Sequence, residues 1–350
     1  MNNQLKSKYE YKKTVPTLFA LTLLFGLLTA LFDLIAFPFL VAMFAALFVF
    51  SSSNPRGLIF VCVAAALTVT VGFLSSPMAA FAAIASLVCG LVAGLTFLLS
   101  RSKPESVTVT LVTFLAMIAA ALWILAAVNG EGASFTHVRE FYMNGYEDLR
   151  WQIIIEAEKN YSAMGNLSPE DISGMMALLP VYLDNIAYLA PSVVAIFAFI
   201  LVGISYKIFI RLLYKYSILG AGVLRWRFTT TNVFVAFYVV LALLNIFVSD
   251  SSAFSLSVLN LYTFFSFLYA YIGYNFVLAL ISQRMRYGVA VLLMWAAIIL
   301  FSSFAVTLLS LGGVVFTFIS NKTGGFGTLP RIGHDEKKTD NESENDNEKD

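Results

Sequence analysis

The chain has 350 residues, 59% of them hydrophobic and only 12% charged, with a net charge of +1. Soluble domains carry roughly 45–50% apolar and about 25% charged residues, so a water-facing globule of this length could not bury this composition, whereas a bilayer-embedded chain can. The balanced total charge gives no basis for a nucleic-acid partner, and its information lies in how the charges are sorted between loops.

Lys6, Lys8, Lys12 and Lys13 precede an apolar stretch as in a secretory signal. No small-x-small cleavage site follows, so an uncleaved first transmembrane helix is expected. A helix needs about 20 apolar residues to cross roughly 30 Å of hydrocarbon. Residues 16–50 are too many for one crossing, and Asp33 is their sole charge. Spans at 15–32 and 34–50 are therefore expected, with the turn at Phe32-Asp33. Segments 57–74, 78–99 and 107–128 give spans three to five, and Ser75-Ser76-Pro77 forms the turn between the third and fourth.

Residues 129–184 form the one long polar interruption, with nine acids against three bases. Ser168-Pro169-Glu170-Asp171 starts a helix there, with a hydroxyl cap, proline at the first position and two acids on the positive dipole end. That helix is expected to stop before Pro180. Residues 138–161 read as one or two amphipathic helices resting on the outer face of the bundle or in the interface. Span six starts after Pro191, runs to about Tyr206 and continues into Lys207, Arg211 and Lys215, which share one helix face. Spans seven and eight cover 231–249 and 254–282. Segment 288–320 reads as two short spans breaking near Ser302-Ser303, for ten in all, or as one long tilted span, for nine. Residues 321–350 carry no apolar periodicity and read as a disordered acidic tail.

The expectation is an all-α polytopic membrane bundle of nine or ten helices. It comprises an N-terminus at 1–14, a first bundle at 15–128, the acidic helical loop at 129–184, a second bundle at 185–320 and the tail. With the N-terminus in the cytoplasm, fourteen Lys and Arg fall on the inner side. Only Arg139, Arg150 and Lys159 fall outside, which makes the 129–184 loop extracytoplasmic.

Catalytic patterns are missing. His137 and His334 have no partner at metal-ligand spacing, and no phosphate-binding loop, metalloprotease helix or nucleophile elbow occurs. No enzyme activity, metal or cofactor is expected. The residual enzyme reading rests on Asp33, Glu170, Asp171 and Asp184. Cys62 and Cys89 read as small core hydrophobes. Asp33, delivered to the outer interface by span one, reads as a cap on span two, or alternatively as an ion or substrate ligand. Ala82, Ser86, Gly90 and Gly94 form a small-residue stripe along one face of span four. It is a surface for close packing of the first helices, or for docking a separate membrane subunit. Span eight is crowded with Tyr and Phe around Asn260, Tyr262 and Asn275. These are the candidate substrate-binding residues, since aromatics with buried amides can line a pocket for a flat organic molecule.

Leu224-Arg225-Trp226-Arg227, Leu259-Asn260-Leu261-Tyr262 and Tyr271-Ile272-Gly273 resemble the motifs of the YybS-like family of bacterial multi-span proteins, which carry a domain of unknown function. The chain departs from that pattern after Arg227, where no proline follows, and at Phe318-Ile-Ser-Asn-Lys, which lacks an acidic-aromatic-Arg ending. The resemblance implies a bacterial inner-membrane location. It also implies a distant likeness to the substrate-binding subunits of energy-coupling-factor transporters, which dock onto a shared energising module. The expected function is thus a substrate-binding or transporter-like membrane subunit without its own ATPase. Its partners are the lipid bilayer and a possible partner subunit. A cell-envelope assembly factor acting through helix contacts is the alternative.

Overall fold

The computed structural model describes residues 8–52, 54–99, 103–129, 132, 134–163, 169–216, 230–247 and 253–322. The expected features of the 1–7 segment, of Ser168, of the Arg225-Trp226-Arg227 motif and of the tail beyond 322 lie outside these. Every regular element among the described residues is helical: α1 (Lys8–Phe32), α2 (Phe37–Ser51), α3 (Pro55–Ser75), α4 (Pro77–Leu98), α5 (Lys103–Val128), α6 (Phe135–Ala163), α7 (Pro169–Lys215), α8 (Asn232–Phe247), α9 (Ala253–Ile281) and α10 (Tyr287–Lys322), with one short 3-10 turn, Asp33–Ile35.

The first four helices form two hairpins laid side by side in the same direction. Phe19 of α1 meets Phe60 of α3, and Gly26 meets Thr68. At the tips, Ser75 Oγ donates to the Ala30 carbonyl at 2.8 Å. The turns follow from local chemistry. Asp33 adopts φ +46°, a left-handed conformation that Asp tolerates better than most residues. Asn54 caps α3 by accepting from the Arg56 amide at 3.0 Å, and Ser76 caps α4 by accepting from Ala79 at 2.9 Å. Pro38, Pro55 and Pro77 stand in the first turns of their helices, where a missing N–H costs nothing.

α2 sits at the centre. Of its 15 residues, 12 are buried, and it packs against α1, α3, α4 and α7. A helix that is apolar on all sides has no solvent face to offer, and this is where such a helix belongs. α7 also packs on α5 and α9, so the first and second halves share one continuous core from Val15 to Phe316.

Three expectations need correction. Among the described residues seven segments, rather than nine or ten, are long and apolar enough to cross a membrane. α2 and α8, with 15 and 16 residues, and the first part of α10, Tyr287–Phe301, are apolar but short. At about 1.5 Å per residue they reach only some 22–24 Å, less than the ~30 Å of hydrocarbon. Second, the helix begun at Pro169 runs through both Pro180 and Pro191 to Lys215. Packing against α6 on one side and α9 on the other holds it past both prolines. Third, Cys62 is exposed rather than in the core, while Cys89 is buried.

The residues of α10 are helical from Tyr287 to Lys322, yet its first and second parts run in opposite directions. Trp295 lies beside Tyr274, with ring centroids 6.4 Å apart, while a side chain added at the neighbouring Gly273 would run into the Leu309 carbonyl. In a straight helix, positions 295 and 309 stand about 21 Å apart. Beyond Leu309 the chain runs parallel to α9: Ser310 pairs with Ser266, Gly313 with Tyr269, and Phe316 with Phe276. The two arms of α10 therefore form a hairpin folded between Trp295 and Leu309. Both of its ends lie at the end of the bundle where α9 finishes.

Candidate functional site

The polar groups of the second half converge where α8, α9 and the second arm of α10 meet. α8 runs antiparallel to α9, which stacks the Tyr238 ring on Tyr262, with centroids 5.8 Å apart and planes 2° from parallel. On its other side Tyr238 lies 4.9 Å from the Tyr269 ring. The Tyr238 hydroxyl stands 3.3 Å from Ser266 Oγ, and the fully buried Tyr269 places its hydroxyl 3.1 Å from Thr230 Oγ1. Ser310 Oγ donates to the Ser266 carbonyl, shared with its own helix at Val306. Asn321, near the end of α10, donates to the Thr230 carbonyl at 3.1 Å and to Asn232 Oδ1 at 2.8 Å.

This approach of α9 and α10 is possible because Gly273 and Gly313 carry no side chains. A Cβ on either would enter the partner backbone, at the Leu309 carbonyl in one case and the Tyr269 carbonyl in the other. The seam is therefore a close-packed, uncharged array of aromatic faces and hydroxyls. Its rings stack on one another and its hydroxyls are paired within the seam.

Of the three span-eight residues singled out from sequence, Tyr262 joins this seam and the other two do not. Asn275 donates to the Tyr271 carbonyl of its own helix at 2.7 Å. Asn260 has a different task. In an unbroken α7 the Ser192 amide would donate to the Tyr188 carbonyl; instead it donates to Asn260 Oδ1 at 2.9 Å, and Asn260 Nδ2 donates to Tyr188 O at 2.7 Å. The second Nδ2 proton goes to Leu256 O at 2.9 Å. The side-chain amide of α9 is thus spliced into the backbone ladder of α7 next to Pro191, where the ring already removes one helical bond. Both Nδ2 protons are committed to carbonyls, so Asn260 is a structural clamp rather than a ligand.

Asp33 does not cap α2, which begins without a side-chain cap. Its carboxylate accepts instead from Ser76 Oγ at 3.3 Å, tying the two hairpin tips together. The α4 stripe is covered by α2. A Cβ on Gly90 would lie 2.6 Å from Phe44 Cβ and 2.9 Å from the Val41 carbonyl, and one on Gly94 would lie 2.8 Å from the Phe48 ring. Ala82 and Ser86 are fully buried on the same face, and Ser86 Oγ has no hydrogen-bond partner. The stripe is therefore spent on internal packing. Of the acids in the 129–184 segment, Asp184 accepts from Tyr146 at 2.8 Å and pairs with Arg150, 3.1 Å from Nε. These contacts bolt α6 to α7. Burial, followed by this bond to Asp184, pushes the Tyr146 phenol up to about 12, so it remains a donor at physiological pH. Among the described residues no group of His, Cys, Asp and Glu is placed to hold a metal ion.

Sequence reasoning missed Tyr238, Ser266, Ser310 and Thr230, whose importance depends on helices 28 to 44 residues apart in sequence. The one signal available was Gly312-Gly313, a small-residue pair inside an otherwise bulky apolar segment. No curated protein and no solved structure matches the chain. The family model described as a predicted membrane protein, DUF2232, matches residues 20–315, well over half the length, and the chain belongs to that family.

Proposed function

We propose that this protein is a substrate-binding, transporter-like membrane subunit with no catalysis and no energy source of its own. The observation that carries the reading is the tyrosine seam. Tyr238, Tyr262 and Tyr269, with Ser266, Ser310 and Thr230, set neutral hydrogen-bonding groups inside an apolar bundle. Polar groups in the bilayer are costly; they either hold helices together or line ligand pathways, and the second role is the one proposed for the seam. Support also comes from the short α8 and the folded-back α10 that bound the seam, since interrupted membrane helices gather around solute sites in transporters.

The ligand class this chemistry favours is a neutral, planar organic molecule held by stacking. The driving force comes from a separate energising module, as in the energy-coupling-factor transporters. The α4 stripe is not the docking face for that module, because α2 occupies it. The proposed orientation has the N-terminus in the cytoplasm and the α6–α7 hairpin outside; the sorting of fourteen Lys and Arg to one side against three on the other supports it. Purification in mild detergent, with mass spectrometry of the co-purifying proteins and small molecules, tests the reading. Recovery of a non-lipid organic ligand together with an ATPase partner is expected. Recovery of neither refutes it.

A further inference from the structure

α7 is longer than any bilayer requires, and its lipid-facing stripe does not stop where the bilayer does. Val193, Phe197, Ile200 and Ile204 are exposed on one face of the helix. Steps of three, four or seven residues continue that face outward through Ile186, Tyr182, Leu178 and Met175, which are 62%, 61%, 56% and 46% exposed. At the opposite end the same face closes with the exposed cations Lys207 and Arg211, which mark one edge of the hydrocarbon. From Met175 to Ile204 the stripe covers about 44 Å at 1.5 Å per residue. A straight helix would have to tilt by roughly 45° to bury it in ~30 Å of hydrocarbon, beyond the ~0–40° range of membrane helices.

The bend that would solve this is built into the same helix. Pro180 and Pro191 lie on the face of α7 opposite the stripe, about 140–180° around the axis from Tyr182 and Val193 at ~100° per residue. A proline ring pushes away the carbonyl four residues back and opens the helix on its own side, so each proline bends α7 toward the stripe. The Asn260 amide inserted between Ser192 and Tyr188 opens the helix on an adjoining face, again away from the stripe. α6 is bolted to the back of α7 through Tyr146 and Arg150 on Asp184, which leaves the stripe uncovered and carries the α6 acids away from it.

We propose that the outer third of α7, with α6 riding on it, lies in the headgroup layer of the bilayer and inserts Met175, Leu178, Tyr182 and Ile186 among the lipids. The occupant is the membrane itself. The stripe continues the lipid-facing surface of α7 without a break, and Tyr182 is a side chain suited to the interface. Asp148 on α6 and the other acids that face away from α7 remain in water.

The test uses the full chain with Cys62 and Cys89 replaced, reconstituted in phosphatidylcholine–phosphatidylglycerol nanodiscs. Spin labels are placed singly at Leu178→Cys, Tyr182→Cys and Asp148→Cys. Collision with oxygen, which partitions into lipid, is compared with collision with a water-soluble nickel chelate. The labels at 178 and 182 should favour oxygen over the chelate several-fold more than the label at 148. Equal chelate access at all three sites would place the hairpin upright in water and overturn the proposal. Loss of access to both reagents at 178, with dipolar broadening between copies, would also overturn it by showing a protein partner on the stripe. A label at Phe197→Cys should report lipid in every case and confirms that the protein is folded.

Discussion

Replacing Asn260 by Leu removes the amide that bridges the broken ladder of α7. Two interhelical hydrogen bonds are lost, Ser192 N–H to Oδ1 at 2.9 Å and Nδ2 to Tyr188 O at 2.7 Å. Interhelical hydrogen bonds in membranes average about 0.6 kcal/mol each and reach about 1.7. The freed Ser192 amide and Tyr188 carbonyl add a desolvation cost unless they find each other, so the expected loss is about 1–3 kcal/mol. Pro191 is what keeps them apart. In a Pro191→Ala background the helix can close, and Ser192 can donate directly to Tyr188. Asn260→Leu should then cost at least about 1 kcal/mol less than in the parent, a coupling of the size found between residues in one network. The assay is denaturant unfolding in detergent, followed by helicity, on the parent, both single variants and the double. Additivity to within ~0.3–0.5 kcal/mol would show that the amide is not spliced into the helix and would refute the reasoning.

The remaining expectations concern the first bundle. Asp33→Asn should be nearly silent in stability, because Asn tolerates a positive φ and its amide oxygen can still accept from Ser76, whereas Asp33→Val should cost about 1–2 kcal/mol for the left-handed backbone. Equal unfolding midpoints for the two would remove the strain argument. Gly90→Leu should destabilise by about 1–3 kcal/mol or prevent accumulation in the membrane, while Leu95→Phe, on an exposed position of the same helix, should be tolerated. Accumulation of both to the parental level would mean that α2 does not cover the stripe. Ser86→Ala should raise stability by about 1 kcal/mol, since a buried hydroxyl without a partner is replaced by a methyl of similar size; a loss of stability would reveal a partner for Ser86.

The architecture of the first half was legible because its signals are local. Asp33 and Ser76-Pro77 break otherwise continuous apolar runs, and the helices on either side follow from length alone. α7 misled for a related reason. Proline is read as a stop, but Pro180 and Pro191 are carried inside a helix that α6 and α9 support from either side. Asn260 stood out correctly as an amide in an apolar span, yet its role depends on a proline 69 positions earlier, and nothing in the local pattern links the two. The tyrosine seam was half visible. Tyr262 was conspicuous in an aromatic-rich span, whereas Tyr238 sits in an ordinary apolar helix and gains its place only when α8 folds back on α9. The reversal of α10 was suggested by a segment too long for one span. The glycine contact that fixes the second arm in parallel with α9 required the fold.

The central claim is that the tyrosine seam binds a small organic molecule, and native mass spectrometry tests it most directly. The protein is released from mild detergent as the parent and as Tyr238→Ala, with Gly145→Ala, in open space on α6, as a control for handling. The account predicts a non-lipid adduct of constant mass on the parent and the control, absent or at least tenfold reduced on Tyr238→Ala at equal helicity. An adduct retained equally by all three proteins, or no adduct on the parent, would contradict it.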